Sequence, residues 1–121
     1  MTPKISLFFV LLFLIPANFS EVETDLLIIR GTIDWGLNIT GGKGFDVKAE
    51  SSGWKKVTFE NPFKEKPSIL TSFNNKKDSP FYDRYVFTDK IEKNSFKFIV
   101  RNGGGKNTPD VTISFLAIGP A

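Results

Sequence analysis

Beyond the first two dozen residues, apolar and polar positions alternate along this chain in short runs. The clearest is Val57-Thr58-Phe59, where every second side chain is apolar, the period of a strand with one buried face. Asn61-Pro62 ends it, because proline has no N–H to donate and pushes the preceding residue out of the helical region. Pro67 opens another run at 68–73, and Phe63 lies between the two, which predicts a loop pinned to a core. The same period predicts strands at 54–59, 68–73, 81–89, 96–101 and 111–118. Residues 25–36 are β-branched with glycine exits and favour a strand, although Leu26 to Ile29 alone also fits a helix. In 81–89, Tyr85 and Phe87 share one face, Arg84 and Val86 the other. Phe96, Phe98 and Val100 are the inward set of the next run, and Val111, Ile113, Phe115 and Ala117 that of the last. No period survives from Gly36 to Gly53, which reads as one long loop. Residues 74–80 and 90–95 read as polar turns, and 102–110 as a flexible glycine-rich tip. Six strands, short connections and no convincing helix predict an all-β, six-stranded antiparallel β-sandwich.

The first residues follow another rule. Lys4 precedes a continuous apolar block from Ile5 to Ile15, closed by Pro16-Ala17, which reads as a secretory signal peptide within residues 1–20. Cleavage is expected between 17 and 20, with the bond after Ala17 favoured. The block is shorter than the roughly 20 apolar residues that span a bilayer, so no membrane insertion is expected after cleavage. The expectation is a secreted, extracellular chain with one domain over residues 21–121. Asn38-Ile39-Thr40 is then a glycosylation sequon on an exposed loop; Asn18-Phe19-Ser20 lies at the cleavage site.

Composition narrows the chemistry. The 121 residues include no cysteine and no histidine, so disulfides and catalysis through either side chain are absent. Stability is expected from aromatic packing, since nine of the 13 phenylalanines follow residue 20, with contacts between subunits as a further source. Removing Lys4 from the 16 basic residues leaves 15 against 13 acidic ones, a balance without a basic stripe for nucleic acid.

Taken in order, several pieces resemble one family. They are Gly31-Thr32-Ile33-Asp34-x-Gly36, then Val57-Thr58-Phe59-x-x-Pro62-Phe63-x-x-x-Pro67-x-Ile69, then a strand opening at Arg84. Phe96 after a charged turn and the closing Ile113-Ser114-Phe115-Leu116-Ala117-Ile118-Gly119 complete the set. From about residue 30 to 119 the chain resembles the H-type lectin domain of snail N-acetylgalactosamine-binding agglutinins and of the discoidin C-terminal domain. The resemblance implies a trimer with shallow sugar sites where protomers meet, needing no metal or cofactor. It implies an arginine that donates to sugar hydroxyls, an aromatic-histidine pair packed on the ring, and a glycine and an aspartate from the neighbouring protomer. Carried over, the arginine falls on Arg84, the glycine and aspartate on Gly44 and Asp46, and the aromatic-histidine pair on Gly103-Gly104. Gly103 and Gly104 supply neither ring nor imidazole, and the family's disulfide is missing as well. Phe81 and Tyr82 are the nearest aromatic substitutes, with Trp35 and Trp54 further off.

Two functions follow. One is a non-enzymatic lectin recognising galactose- or N-acetylgalactosamine-type glycans at protomer edges, for recognition, adhesion or agglutination. The other is a secreted sandwich that has lost sugar binding and serves as a protein-interaction or scaffold module. Arg84 reads equally as a surface arginine paired with Asp83 or Asp89, and Asp46 as a solvated loop acid. Gly103-Gly104-Gly105 lacks the following helix of a phosphate loop. Asp34, Asp46, Asp83 and Asp89 show no spacing that singles out a glycosidase pair.

Overall fold

In the computed structural model, which describes residues 25–75, 83–108 and 111–121, the alternating runs form eight β-strands rather than six. They are β1 (Leu26–Ile33), β2 (Ile39–Gly42), β3 (Phe45–Ala49), β4 (Lys55–Phe59), β5 (Ser68–Asn75), β6 (Tyr85–Asp89), β7 (Ser95–Arg101) and β8 (Val111–Pro120). The stretch from Leu26 to Ile29 is strand, not helix. The apolar block 5–15, its expected cleavage, and the substitute aromatics Phe81 and Tyr82 lie outside the described residues.

Both additional strands lie in the span expected to be loop. In β2 the two glycines leave no side chain to mark a period, and Thr40 is an extra residue in the pairing, since Gly41 pairs with Thr32 and Ile39 with Ile33. Phe45-Asp46-Val47-Lys48-Ala49 does alternate, but it follows Gly44 directly, is short, and only Phe45 is fully buried. Gly42 is obligatory here: its φ is +80°, and a Cβ would lie 2.0 Å from the Arg30 carbonyl oxygen. The predicted strand at 81–89 is shorter than expected, beginning at Tyr85, which leaves Asp83 and Arg84 in the approach to it.

All pairings are antiparallel. One sheet has the order β2-β1-β8-β5 and the other β3-β4-β7-β6, giving a sandwich. β8 carries the first sheet, pairing with β1 from Leu26↔Pro120 to Ile33↔Ile113 and with β5 from Ser68↔Ile118 to Asn75↔Val111. The expected inward residues of β7 and β8 are all buried. Their rings pack edge to face: Phe45 on Phe115 at 5.0 Å and 77°, and Phe96 on Phe115 at 5.2 Å and 71°. Each such pair adds roughly 0.5–1.5 kcal/mol beyond the burial of its area.

Phe63 behaves as its position predicts. It is buried, meets Phe59 edge to face at 5.2 Å, and its N–H donates to the Lys93 carbonyl at 2.8 Å. Together with the buried Pro67 it closes one end of the sandwich, leaving the other end to the loops after β1, β3 and β7 and before β6.

Gly31 points inward between Ile29 and Ile33, and a Cβ there would lie 2.3 Å from the Phe45 ring and 2.5 Å from Phe115. Gly31→Ala is therefore expected to lower stability by about 1–3 kcal/mol through overpacking. Urea unfolding measures this; an unchanged midpoint would mean that the two rings do not need the space.

Candidate functional site

The open end of the sandwich gathers the chemistry. Asp34, in the turn after β1, accepts the N–H groups of Gly36 at 2.9 Å and Asn38 at 2.8 Å on Oδ1, while Asn38 Nδ2 donates to Oδ2 at 3.2 Å. These bonds, the Asn38 backbone N–H foremost, hold the Asp34 carboxyl below its usual range. This acid is committed to its own turn. The sequon residue Asn38 is exposed in that turn, and Trp35 beside it is half exposed.

Arg84 and Gly103 meet across the same end. The side chain of Arg84 is only 6% exposed, whereas that of Asp83 is 54% exposed. Asp83 is the bridge: Oδ1 pairs with Arg84 Nη1 at 2.5 Å, and Oδ2 accepts the Gly103 N–H at 3.2 Å. The expected alternative of a surface arginine paired with Asp83 or Asp89 is thus half right. Asp83 is a partner, but the guanidinium is buried. A carboxylate neutralised on one side and hydrogen-bonded on the other still offers lone pairs to solvent, and a sugar hydroxyl is a donor of the right kind.

The glycine-rich tip is a hydrogen-bonded turn. Asn102 Oδ1 accepts the N–H groups of Gly104 at 2.9 Å and Lys106 at 3.0 Å, and the Asn102 carbonyl accepts that of Gly105 at 2.9 Å. A Cβ on Gly103 would lie 3.3 Å from Asp83 Oδ2, so a side chain there crowds the bridge that joins the turn to Arg84. Asn107 Nδ2 donates to the Ser52 carbonyl at 2.8 Å and ties the same loop to the turn before β4.

Beside this cluster a largely apolar cavity of about 110 Å³ enters the sandwich, lined by Ile33, Trp35, Phe98, Val100 and Thr108, with Lys55 on its wall. Lys55 Nζ donates to the Gly53 carbonyl at 2.8 Å, and partial burial pushes the amine's pKa down. Trp54 is half-buried just before β4.

Gly44 and Asp46 do not join this cluster within one protomer. Asp46 pairs with Thr58 and Thr58 with Ser95, whereas Arg84 precedes Tyr85, which pairs with Arg101. That places Asp46 about 20 Å along the strands and about 14 Å across them from Arg84. A shared site with Arg84 therefore requires a second protomer. The sequence predicts Asp83 only as an ion-pair partner of Arg84; its second bond, to the Gly103 N–H twenty positions away, has no signal there.

A family model described as the H-type lectin domain matches residues 54–118, more than half of the chain. The chain belongs to the H-type lectin domain family. That family is carbohydrate-binding and non-enzymatic, and the match spans β4 to β8 with the whole Asp83–Arg84–Gly103 cluster. No curated protein and no solved structure matches the chain.

The Asp34 turn carries a pH dependence. A carboxyl held below its unfolded value stabilises the fold above that value and ceases to do so as the pH falls through the folded one. Acidification below the ordinary 3.8 is expected to open the turn, with hydrogen exchange at Gly36 and Asn38 rising first. Asp34→Ala, which removes the acceptor, should show fast exchange already at neutral pH; protection equal to the native chain would exclude this role.

Proposed function

We propose that this H-type lectin domain is a secreted lectin that holds galactose- or N-acetylgalactosamine-type sugars at protomer edges of a homotrimer, for recognition, adhesion or agglutination. The observation that carries the reading is the Asp83–Arg84–Gly103 bridge. It sets a half-exposed, fixed carboxylate where the family resemblance puts the sugar. Asp83 accepts from sugar hydroxyls, Arg84 holds Asp83 in place, and the Gly103-Gly104 backbone lets the sugar approach closely. Gly44 and Asp46 reach the site from the neighbouring protomer. Each neutral hydrogen bond is worth about 0.5–1.5 kcal/mol net, so a single site is weak and three sites on one particle supply avidity.

Assembly is supported by the outward face of β2-β1-β8-β5. Ile28 pairs with Ile118, and Leu116 lies between Arg30 and Leu70, while Leu26 and Pro120 continue the patch. Leu26, Ile28, Leu70 and Leu116 are all exposed in the single chain, an apolar surface of the kind that subunit contacts cover. Export is supported by the apolar block 5–15 and by the exposed Asn38 sequon, which export would make a glycosylation acceptor.

Arg84→Ala is a poor test, because it removes a nearly buried side chain and releases Asp83 from its place, so packing and any sugar contact are lost together. Asp83→Asn keeps the size and one acceptor but leaves the Arg84 guanidinium without its carboxylate, so its thermal midpoint is expected to fall as well. It is expected to weaken binding of N-acetylgalactosamine glycans on an array by about tenfold while the trimer persists by light scattering. A monomeric native protein would sink the shared site. Array silence alongside a reproducible protein partner would favour the scaffold reading instead.

A further inference from the structure

The outward face of β3-β4-β7-β6 has a composition that the core does not explain. Val57, Phe96 and Phe98 are buried, so strand alternation turns Lys56 and Lys97 outward, and Lys48 follows on β3. The register sets them side by side: Lys48 pairs with Lys56, and Lys56 with Lys97. Neighbouring strands are about 4.8 Å apart, so three ammonium groups share one row across three strands. Like charges directly opposite one another destabilise a sheet.

The row is only partly compensated. Glu50 Oε1 meets Lys97 Nζ at 2.5 Å, and its carboxyl is held low by that bond first and then by the charges of Lys97, Lys56 and Lys48. Asp89 closes the row opposite Lys97. Lysine on an edge strand guards against stray pairing, which accounts for Lys48. Lys56 and Lys97 lie on the inner strands β4 and β7, where no edge needs guarding.

Next to the lysines, towards the Arg84 end, the face turns aromatic. Phe87 is 48% exposed, its ring meets Tyr85 edge to face at 5.0 Å and 78°, and the Arg101 guanidinium lies 5.9 Å from its centroid. Ile99 pairs with Phe87 and is fully buried although it points outward, so outward side chains cover it. Arg101 Nε is buried and makes no hydrogen bond among the described residues. Flat rings suit the apolar faces of pyranose rings, and cations suit the anionic groups that some pyranoses carry.

We propose that this face is a second glycan-binding surface, specific for acidic glycans. Lys48, Lys56 and Lys97 take sulfate or carboxylate groups, and Phe87 with Tyr85 and Arg101 packs on the sugar rings. The inference does not rest on the Asp83 edge site, which addresses uncharged hydroxyls.

The test is binding of the purified protein to heparin as the sulfated probe and to polygalacturonate as the carboxylate probe, with a neutral galactan and duplex DNA as controls. Binding to at least one acidic glycan is expected, falling steeply as salt screens the row. The probe held more tightly identifies the anion. The Lys48→Gln/Lys56→Gln double variant should bind about tenfold more weakly, with a thermal midpoint equal to or above the native one because like charges have been removed. Phe87→Ala should weaken glycan binding and leave the salt dependence as it was. Failure to bind either acidic glycan, native affinity in the double variant, or DNA bound as tightly as heparin with no effect of Phe87→Ala would each overturn the proposal. Silence towards neutral sugars with heparin binding intact would overturn the edge-site reading alone.

Discussion

Phe45 and Phe115 meet edge to face across the two sheets because Gly31, between Ile29 and Ile33 on β1, presents no side chain to the space their rings occupy. The rest of the sandwich is built around that contact. Phe115 also receives Phe96, Phe96 leans on Phe59, and Phe59 meets Phe63 in the closing loop. The aromatic chain runs from one sheet to the other and on to the closed end. In a chain without cysteine, the sheets are held together by this packing and not by a covalent bridge. Its cost is intolerance: a single added methyl at Gly31 reaches two rings at once.

The open end works by different physics. A nearly buried guanidinium is tolerable only with a carboxylate against it, and Asp83 is held in that place by the Gly103 amide. Gly103 carries no side chain and so leaves room for this bridge, since a Cβ there would lie 3.3 Å from Asp83 Oδ2. Asp34, by contrast, gives three of its acceptor positions to its own turn.

The two outward faces share a fold and little else. On β2-β1-β8-β5 the register lines up Ile28 with Ile118 and Leu70 with Leu116, an apolar surface that water covers poorly. On β3-β4-β7-β6 it lines up three lysines beside Phe87 and Tyr85. An apolar face suits another protein surface and a cationic, aromatic one suits an anionic ligand, so the two outward faces of one sandwich differ in the chemistry they offer.

Much of this was written locally. The period-two runs in β4, β5, β7 and β8, the pinning of Phe63 and the family motifs from Val57 to Gly119 could be read residue by residue, because alternation depends only on which way successive side chains point. β2 and β3 escaped notice for different reasons: β2 is half glycine and shows no period, and β3 is a five-residue edge strand whose alternation buries only Phe45 fully. Which residues meet across strands was beyond the sequence altogether. Nothing near Arg84 says that its side chain is buried, that Asp83 reaches Gly103 twenty positions away, or that Lys48, Lys56 and Lys97 form one row. Those facts follow from register and from the crossing of distant loops, which pairing between remote segments fixes only when the whole sandwich closes.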